Sequence, residues 1–178
     1  MRVIAGEFRS RVLKSLPGLD VRPTPDRLRE ALFNVLTPRI HGTVFADVYA
    51  GTGAVGIEAL SRGAARAIFV EESHAAAAVI RENLRSLGLE TRSTLRHSRA
   101  SVVLPQMEAD IVFIDPPYQL EKEYERSLTT LGEKPPRLAI VQHAARLQLA
   151  ESYGTLRRTR ILKQGDNSLT FYEPVTSD

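Results

Sequence analysis

The chain has 178 residues, 43% of them hydrophobic, with a formal net charge of +3 and no cysteine. This length and composition predict one domain, residues 1–178, and no apolar run is long enough to cross a membrane. The lack of cysteine excludes disulfides, thiolate zinc sites and a cysteine nucleophile. The first residues have no apolar signal core, which predicts a cytoplasmic protein, and the mild positive charge is compatible with nucleic acid.

The N-terminal segment is basic. Residues 2–15 alternate loosely between apolar and polar side chains around Gly6, and this pattern predicts a β-ribbon. Against one acid, Glu7, the ribbon has four cations that either bind RNA phosphates or form a solvated face: Arg2, Arg9, Arg11 and Lys14. We expect residues 1–40 to be an RNA-contacting extension of a catalytic core in residues 41–178.

A helix is predicted after the ribbon. Thr24 is a candidate N-cap and Pro25 a candidate first helical residue, because proline fits the first turn of a helix. Apolar residues recur at helical spacing over residues 28–36, so the helix buries one stripe. Pro38 is expected to end it.

From residue 43 onward, strand and helix patterns alternate, which predicts a mostly parallel sheet covered by helices on both faces. The predicted strands are 44–48, 66–70, 93–96, 110–114 and 137–141, and the predicted helices are 54–62, 73–87, 99–104 and 120–131. Two further strand-like segments, 153–163 and 169–172, flank a turn at residues 165–167. They predict an antiparallel pair at the end of the sheet.

A glycine-rich loop separates the first predicted core strand from its helix. Its sequence is Asp47-Val48-Tyr49-Ala50-Gly51-Thr52-Gly53-Ala54-Val55-Gly56. The three glycines allow a sharp turn and let the backbone approach a ligand closely. The same spacing also matches the fingerprint of dinucleotide-binding proteins, so the loop alone leaves two cofactor classes open.

The acids around this loop favour one of the two cofactors. Glu71, twenty residues after Gly51, follows an apolar run and can accept hydrogen bonds from ribose hydroxyls. Asp47 precedes the loop, where it can bind a positively charged amino-acid group but would repel a pyrophosphate. S-adenosylmethionine has an ammonium, a ribose and no phosphate, so we predict it rather than a nicotinamide dinucleotide.

A fourth predicted core strand ends in Asp115-Pro116-Pro117-Tyr118. The exocyclic amine of a nucleobase is a poor nucleophile because its lone pair is delocalised, so methylating it requires acceptors held in place. Asp115 and the proline carbonyls can supply these acceptors, and Tyr118 can stack on a flipped base. The alternative interpretation is a proline turn with a solvated acid and a tyrosine at the edge of the core.

Together these motifs resemble the bacterial 16S ribosomal RNA guanine-N2 methyltransferases of the RsmD type. The most specific part is the stretch from Arg22 to Asn34, whereas the glycine loop and the Asp-Pro-Pro-Tyr motif occur in many N-methyltransferases. The resemblance covers nearly the whole chain. It implies a Rossmann-like methyltransferase fold, S-adenosylmethionine as donor, and a guanine of 16S ribosomal RNA as target, within an assembling or assembled small subunit.

Two positions depart from the usual pattern of such enzymes. After strand 93–96 many methyltransferases carry an acid or amide against the donor adenine, and here Ser98 is the candidate. After strand 137–141 relatives often carry an acid, whereas this chain has Gln142 and His143, to which we assign no role. The four histidines lack metal-ligand spacing, and no metal is expected.

The candidate site residues form three groups. The predicted catalytic residues are Asp115, Pro116, Pro117 and Tyr118. The predicted donor-binding residues are Asp47, Tyr49, Gly51, Gly53, Gly56, Glu71 and Ser98. The predicted RNA-binding residues are Arg2, Arg9, Arg11, Lys14, Arg22 and Arg27. An adenine-N6 DNA methyltransferase with the same four-residue motif, and an RNA-binding or ribosome-assembly factor without activity, remain alternatives.

Overall fold

Eight strands form one mixed sheet in the computed structural model, which describes residues 1–17 and 24–176. In chain order they are β1 Val44–Val48, β2 Arg66–Glu71, β3 Ser93–His97, β4 Ile111–Ile114, β5 Leu138–Ala144, β6 Ser152–Tyr153, β7 Leu156–Gln164 and β8 Asn167–Pro174. Their order across the sheet is β3-β2-β1-β4-β5-β8-β7-β6. Strands β1 to β5 pair in parallel, and β8 pairs antiparallel with both β5 and β7. The predicted parallel sheet with an antiparallel end is confirmed.

Helices cover both faces of this sheet. They are α1 Asp26–Ile40, α2 Ala54–Ser61, α3 His74–Ser86, α4 Ala100–Val103 and α5 Glu121–Glu133, with short 3-10 turns at Glu90–Arg92 and Leu104–Gln106. Alternate residues of a strand point to opposite faces. Accordingly, Ile111 and Phe113 of β4 join the hydrophobic cluster that includes α1, α2 and α3, whereas Val112 and Ile114 join the cluster that includes α4 and α5. None of the helices in residues 1–17 and 24–176 is long and apolar enough to span a membrane.

The N-terminal segment is not the regular β-ribbon that its alternation predicts. One antiparallel bridge forms there, between Arg2 and Val12. The backbone amides of Ile4 and Ala5 instead donate to the buried carboxylate of Glu58 in α2, at 2.8 and 3.0 Å. Because these amides bond to a helix side chain rather than to a partner strand, the segment folds as an irregular hairpin.

This N-terminal hairpin (residues 1–17) lies directly against Ser61 at the end of α2. The amide of Glu7 donates to the Ser61 carbonyl at 2.8 Å, and the amide of Phe8 donates to the Ser61 hydroxyl at 2.9 Å. Gly6 has φ +87°, and a Cβ there would lie 2.0 Å from the Ser61 carbonyl oxygen. Only glycine allows both this conformation and this close approach.

Helix α1 differs from its prediction at both ends. Pro25 is the N-cap rather than the first helical residue, and it makes no side-chain cap bond. Thr24 is not the N-cap, because its hydroxyl donates to Oε1 of Gln142 at 3.3 Å. Pro38 does not end the helix, which continues to Ile40. Pro38 is exposed, so water can satisfy the carbonyl that loses its helical partner.

Candidate active site

A cavity of about 820 Å³ lies at the carboxyl ends of the central strands, where the strand order reverses between β1 and β4. Open α/β sheets bind ligands at such points, and the volume is typical of a site for a small molecule. All predicted donor-binding and catalytic residues line this cavity except Gly53 and Gly56. The fold therefore brings together side chains that the sequence separates by up to 71 positions, from Asp47 to Tyr118.

Asp47, in β1, is the most buried acid of the cavity. It is 1% exposed, and its Oδ2 accepts a hydrogen bond from the amide of Gly56 at 2.9 Å. Burial raises the pKa of Asp47 well above its ordinary value, and the nearby carboxylates of Asp115 and Glu71 raise that pKa further. The Gly56 amide opposes the shift. An ionised Asp47 is thus costly without a cation, and a positively charged ligand would relieve that cost.

Glu71 fixes the glycine loop to the end of β2. Its Oε2 accepts from the amide of Gly51 at 2.7 Å, and its Oε1 accepts from the amide of Ser73 at 2.9 Å. Ser73 in turn caps α3, because its hydroxyl accepts from the amide of Ala76. Each carboxylate oxygen has a second acceptor site, so Glu71 can hold the loop and still accept from a ligand hydroxyl.

The last two glycines of the loop, Gly53 and Gly56, are not among the residues that line the cavity, and the structure requires glycine at both positions. Gly53 is the N-cap of α2 and adopts φ +84°. A Cβ on Gly56 would lie 2.4 Å from the ring of Phe69 in β2, so glycine is needed for α2 to pack against the sheet. The absence of a side chain at these positions lets α2 begin at the edge of the cavity, which Ala54 and Val55 line.

Tyr49 is fixed by α5. Its backbone has φ +64°, and its hydroxyl bonds to Glu123 at 3.0 Å and to Ser127 at 3.2 Å. Burial, the largest influence, raises the pKa of Tyr49 to about 12, so the hydroxyl stays protonated at neutral pH. The tyrosine therefore contributes to the cavity wall while its polar end is bonded elsewhere.

Among the described residues of the cavity wall, acidic side chains predominate. Four acids line it, namely Asp47, Glu71, Glu72 and Asp115, and none of its lining residues within the described parts of the chain is a lysine or an arginine. A dianionic pyrophosphate would be repelled by such a wall, whereas an ammonium or a sulfonium would be attracted. The acidic residues of the cavity wall thus fit S-adenosylmethionine better than a nicotinamide dinucleotide.

The Asp-Pro-Pro-Tyr motif follows β4 and lies beside the start of the glycine loop, because β1 and β4 are neighbouring parallel strands. The amide of Asp115 donates to the carbonyl of Val48 at 3.3 Å, which continues the β1–β4 pairing past the strand end. Tyr118 donates its hydroxyl to Oδ1 of Asn167 at the start of β8. The motif is therefore fixed by contacts with β1 on one side of β4 and with β8 on the other. All four of its residues line the cavity: Asp115, Pro116, Pro117 and Tyr118.

Tyr124 in α5 supports this motif and was not predicted to do so. Its hydroxyl donates to the Pro116 carbonyl at 3.3 Å. Burial raises the pKa of Tyr124, so the hydroxyl remains a donor. A tyrosine within the apolar stripe of an amphipathic helix has the sequence pattern of a core residue, and only the tertiary structure connects it to Pro116.

Asn83 in α3 connects the N-terminal hairpin to the glycine loop. It is 2% exposed; its Oδ1 accepts from the amide of Lys14 at 2.7 Å. Its Nδ2 donates to the Lys14 carbonyl at 3.1 Å and to the Thr52 carbonyl at 3.0 Å. One buried amide thus fixes the hairpin and the loop relative to each other, a role that no local sequence signal indicates.

Five of the predicted RNA-binding cations lie in the described residues and are exposed: Arg2, Arg9, Arg11, Lys14 and Arg27. Arg22 lies outside the described residues. Lys14 forms a surface ion pair with Glu82 at 2.6 Å. Met1 lines the cavity, so the N-terminal hairpin borders the space where a ligand would bind. Within the described chain, no group of three or more His, Asp or Glu residues is arranged to hold a metal.

Comparison with known proteins shows the family to which this chain belongs. A family model described as Conserved hypothetical protein 95 matches residues 1–173. The chain belongs to this family. YlbH of Bacillus subtilis is 32% identical over 97% of this chain and 98% of its own length. The Ribosomal RNA small subunit methyltransferase D of Haemophilus influenzae is 36% identical over 80% of this chain and 78% of its own length.

A solved structure shows the same architecture. The Escherichia coli protein yhhF superposes with a TM-score of 0.85 at 32% identity, covering 98% of this chain and 97% of its own. The family membership and the Rossmann-like methyltransferase fold that the sequence motifs predict are therefore confirmed, and so is the assignment to the ribosomal RNA methyltransferases.

Proposed function

We propose that this chain is a cytoplasmic enzyme that transfers a methyl group from S-adenosylmethionine to the exocyclic N2 amine of a guanine in 16S ribosomal RNA, within an assembling or assembled small subunit. The observation that carries the proposal is a single cavity with two kinds of wall. One wall, with Asp47 and Glu71, suits a cationic donor, and the other carries Asp115 and Tyr118. Its family relatives include enzymes named for methylating small-subunit ribosomal RNA.

The residues of the donor wall have distinct tasks in this proposal. Asp47 and the start of α2 would bind the charged amino-acid group of S-adenosylmethionine. Glu71 would accept hydrogen bonds from its ribose hydroxyls, and Ser98 would contact the edge of its adenine. Bound S-adenosylmethionine supplies an electrophilic methyl group on a sulfonium. Because methyl transfer removes that positive charge, the site contributes mainly by placing the reactants and by fixed dipoles.

The residues of the base wall hold the nucleophile. Asp115 and the Pro116 carbonyl accept hydrogen bonds from the guanine amine and direct its nitrogen into the cavity. The Tyr124 hydroxyl donates a hydrogen bond to the Pro116 carbonyl and so fixes its position. The carbonyl oxygen keeps a second lone pair that can accept from the guanine amine. Tyr118 stacks on the flipped base, and Asp115 or water takes the proton that the methylated amine releases.

One assay tests this function directly. The purified chain should bind S-adenosylmethionine and its demethylated product by calorimetry, with no binding of NAD, because the wall acids oppose a pyrophosphate. It should transfer tritiated methyl groups to small-subunit RNA or to partly assembled subunits, with N2-methylguanosine as the modified nucleoside. Detection of N6-methyladenosine in DNA instead would favour the DNA methyltransferase, and NAD binding without S-adenosylmethionine binding would contradict the proposal altogether.

Residues 1–40 act in this proposal as the RNA-contacting part of one methyltransferase domain. Replacing Arg9 and Arg11 by glutamine should weaken RNA binding and reduce the slope of log K against log salt by about 1.4, if both cations neutralise phosphates on single-stranded RNA. Removing the charges leaves the backbone bonds of the N-terminal hairpin to Glu58 and Asn83 in place, which a deletion would not. Fluorescence titration at several salt concentrations gives the slope.

A matched control uses two other exposed cations, Arg137 and Arg157. Arg137 directly precedes β5. Arg157 lies opposite Glu173 in the β7–β8 register, at the end of β8 that adjoins the start of β5. Both arginines therefore lie at the amino ends of the parallel strands, away from the cavity. Their double glutamine variant should keep the wild-type slope. An equal reduction in both variants would mean that only total charge matters, and an unchanged slope for the first variant would place the RNA surface elsewhere.

A further inference from the structure

A second cavity, of about 720 Å³, adjoins the active-site cavity, and the proposed mechanism does not use it. The two cavities share the lining residues Tyr118, Gln119 and Leu120, so they meet along the segment that connects β4 to α5. The second cavity is otherwise lined by the first two turns of α5 and by Arg146, which follows β5. A base stacked on Tyr118 in the active-site cavity would therefore have its sugar and phosphates beside the second cavity.

The second cavity differs from the active-site cavity in charge. Three of its lining residues are exposed cations, namely Lys122, Arg126 and Arg146. Its two acids are Glu121 and Glu123. The active-site cavity has four acids and, among the described residues that line it, no lysine or arginine. An RNA phosphate would thus be repelled by the active-site wall and attracted by the cations of its neighbour.

Glu123 fixes one of these cations relative to the donor site. Its Oε1 accepts from Nη1 of Arg126 at 3.2 Å, and its Oε2 accepts from the Tyr49 hydroxyl at 3.0 Å. A guanidinium has five N–H donors, so Arg126 can bind a phosphate while one donor bonds to Glu123. Because Tyr49 belongs to the glycine loop, the same carboxylate joins a wall of the active-site cavity to a cation of the second cavity.

We infer that the second cavity binds the RNA backbone directly next to the target guanine, with Lys122, Arg126 and Arg146 as its phosphate contacts. This inference rests on the proposed function and names the part of the substrate that is held outside the active-site cavity. Extruding a base from its stack costs free energy, and contacts to the flanking phosphates offset that cost and fix the position of the strand. Leu120, an apolar side chain that is 49% exposed where the cavities meet, packs against the adjacent nucleotide.

The test compares two triple variants that remove the same charges. The cavity variant carries Lys122→Gln, Arg126→Gln and Arg146→Gln. The control variant carries Lys134→Gln, Arg137→Gln and Arg157→Gln. All three control residues are exposed, and they lie between α5 and β5 or in β7, at the end of the sheet opposite the two cavities.

Each enzyme is assayed on two forms of small-subunit RNA, either free or in partly assembled subunits, whichever the wild type methylates. One form is unmodified. The other has neutral methylphosphonate linkages on both sides of the methylated guanine, whose position the wild-type assay locates first. The value of kcat/KM is measured for every pair of enzyme and RNA, so that a double-mutant cycle gives the coupling between the three cations and the two phosphates.

We expect the cavity variant to lose roughly 10-fold or more in kcat/KM on unmodified RNA, because hydrogen bonds between charged groups are among the stronger ones. The neutral linkages should lower kcat/KM of the wild type by a similar factor and that of the cavity variant by little more, since its contacts are already lost. The control variant should behave as the wild type on both RNAs. Calorimetry with S-adenosylmethionine shows that each variant keeps its donor site.

Three results would contradict the inference. If the neutral linkages lower kcat/KM of the cavity variant as much as that of the wild type, the cations do not contact these phosphates, and the proposed function stays intact. Damage to folding gives this same pattern. Equal losses in the cavity and control variants would mean that only total charge matters. A wild type that binds the donor and methylates no small-subunit RNA would overturn the proposed function, and the inference with it.

Discussion

Replacing Asp115 by alanine is expected to lower the rate of methyl transfer by roughly 100-fold or more while S-adenosylmethionine affinity changes little. Asp115 is at the end of β4, on the wall of the cavity that faces the base in our proposal, whereas Asp47 and Glu71 form the donor wall. Without its carboxylate the guanine amine loses its main acceptor and is no longer held toward the methyl group. Single-turnover transfer of a labelled methyl group measures the rate, and calorimetry measures the donor affinity.

The control for this variant is Asp166→Ala. Asp166 is an exposed acid in the turn between β7 and β8, so its loss changes the net charge by the same amount without touching the cavity wall. Its methyl transfer should equal that of the wild type. Normal turnover by Asp115→Ala would show that another group orients the amine, and a large loss of donor affinity would move Asp115 to the donor wall.

Replacing Glu58 by alanine is expected to destabilise the fold by about 3–5 kcal/mol, the usual effect of removing one partner from a buried ion pair. The Glu58 side chain is 0% exposed and accepts from the amides of Ile4 and Ala5 and from Nε of Arg62 at 2.8 Å. Its removal leaves two amides and a guanidinium in a largely buried place without their acceptor. The midpoint of thermal unfolding should fall on the order of 10 °C.

Glu82→Ala is the matched control for this prediction. Glu82 also holds the N-terminal hairpin, through Lys14, but the two side chains are 49% and 65% exposed. Exposed ion pairs contribute at most about 1 kcal/mol, so this variant should unfold close to the wild type. Similar small losses in both variants would mean that the hairpin bonds to Glu58 add little stability. Denaturant titration of both variants decides between these outcomes.

The central sheet could be predicted from the sequence because its signals are local. Apolar runs such as Ile111 to Ile114 are short and are followed at once by loops rich in glycine or proline, which favours buried strands over helices in an alternating α/β pattern. The donor and catalytic residues follow those strands directly. Because the carboxyl ends of parallel strands meet at one edge of the sheet, the residues that line the cavity could also be predicted from the sequence.

The elements that could not be predicted depend on partners far away in sequence. Apolar and polar residues alternate in the N-terminal hairpin as in a strand. Two of its backbone amides nevertheless donate to the carboxylate of Glu58, more than fifty positions away. Thr24 has the local signature of a cap, yet its hydroxyl bonds to Gln142, 118 positions away. No local pattern distinguishes such a residue from an ordinary cap or strand residue, because the competing partner is chosen by tertiary structure.

The link through Asn83 has a consequence for the order in which the chain assembles during its synthesis. Lys14 leaves the ribosome early, but the amide that binds its backbone lies 69 positions later. At translation rates of about 5–20 residues per second, the first seventeen residues wait roughly 3 to 14 seconds for that partner. The basic N-terminal hairpin is therefore made well before the side chain that fixes its backbone, and the Thr52 carbonyl acquires its bond to Asn83 only when α3 has emerged.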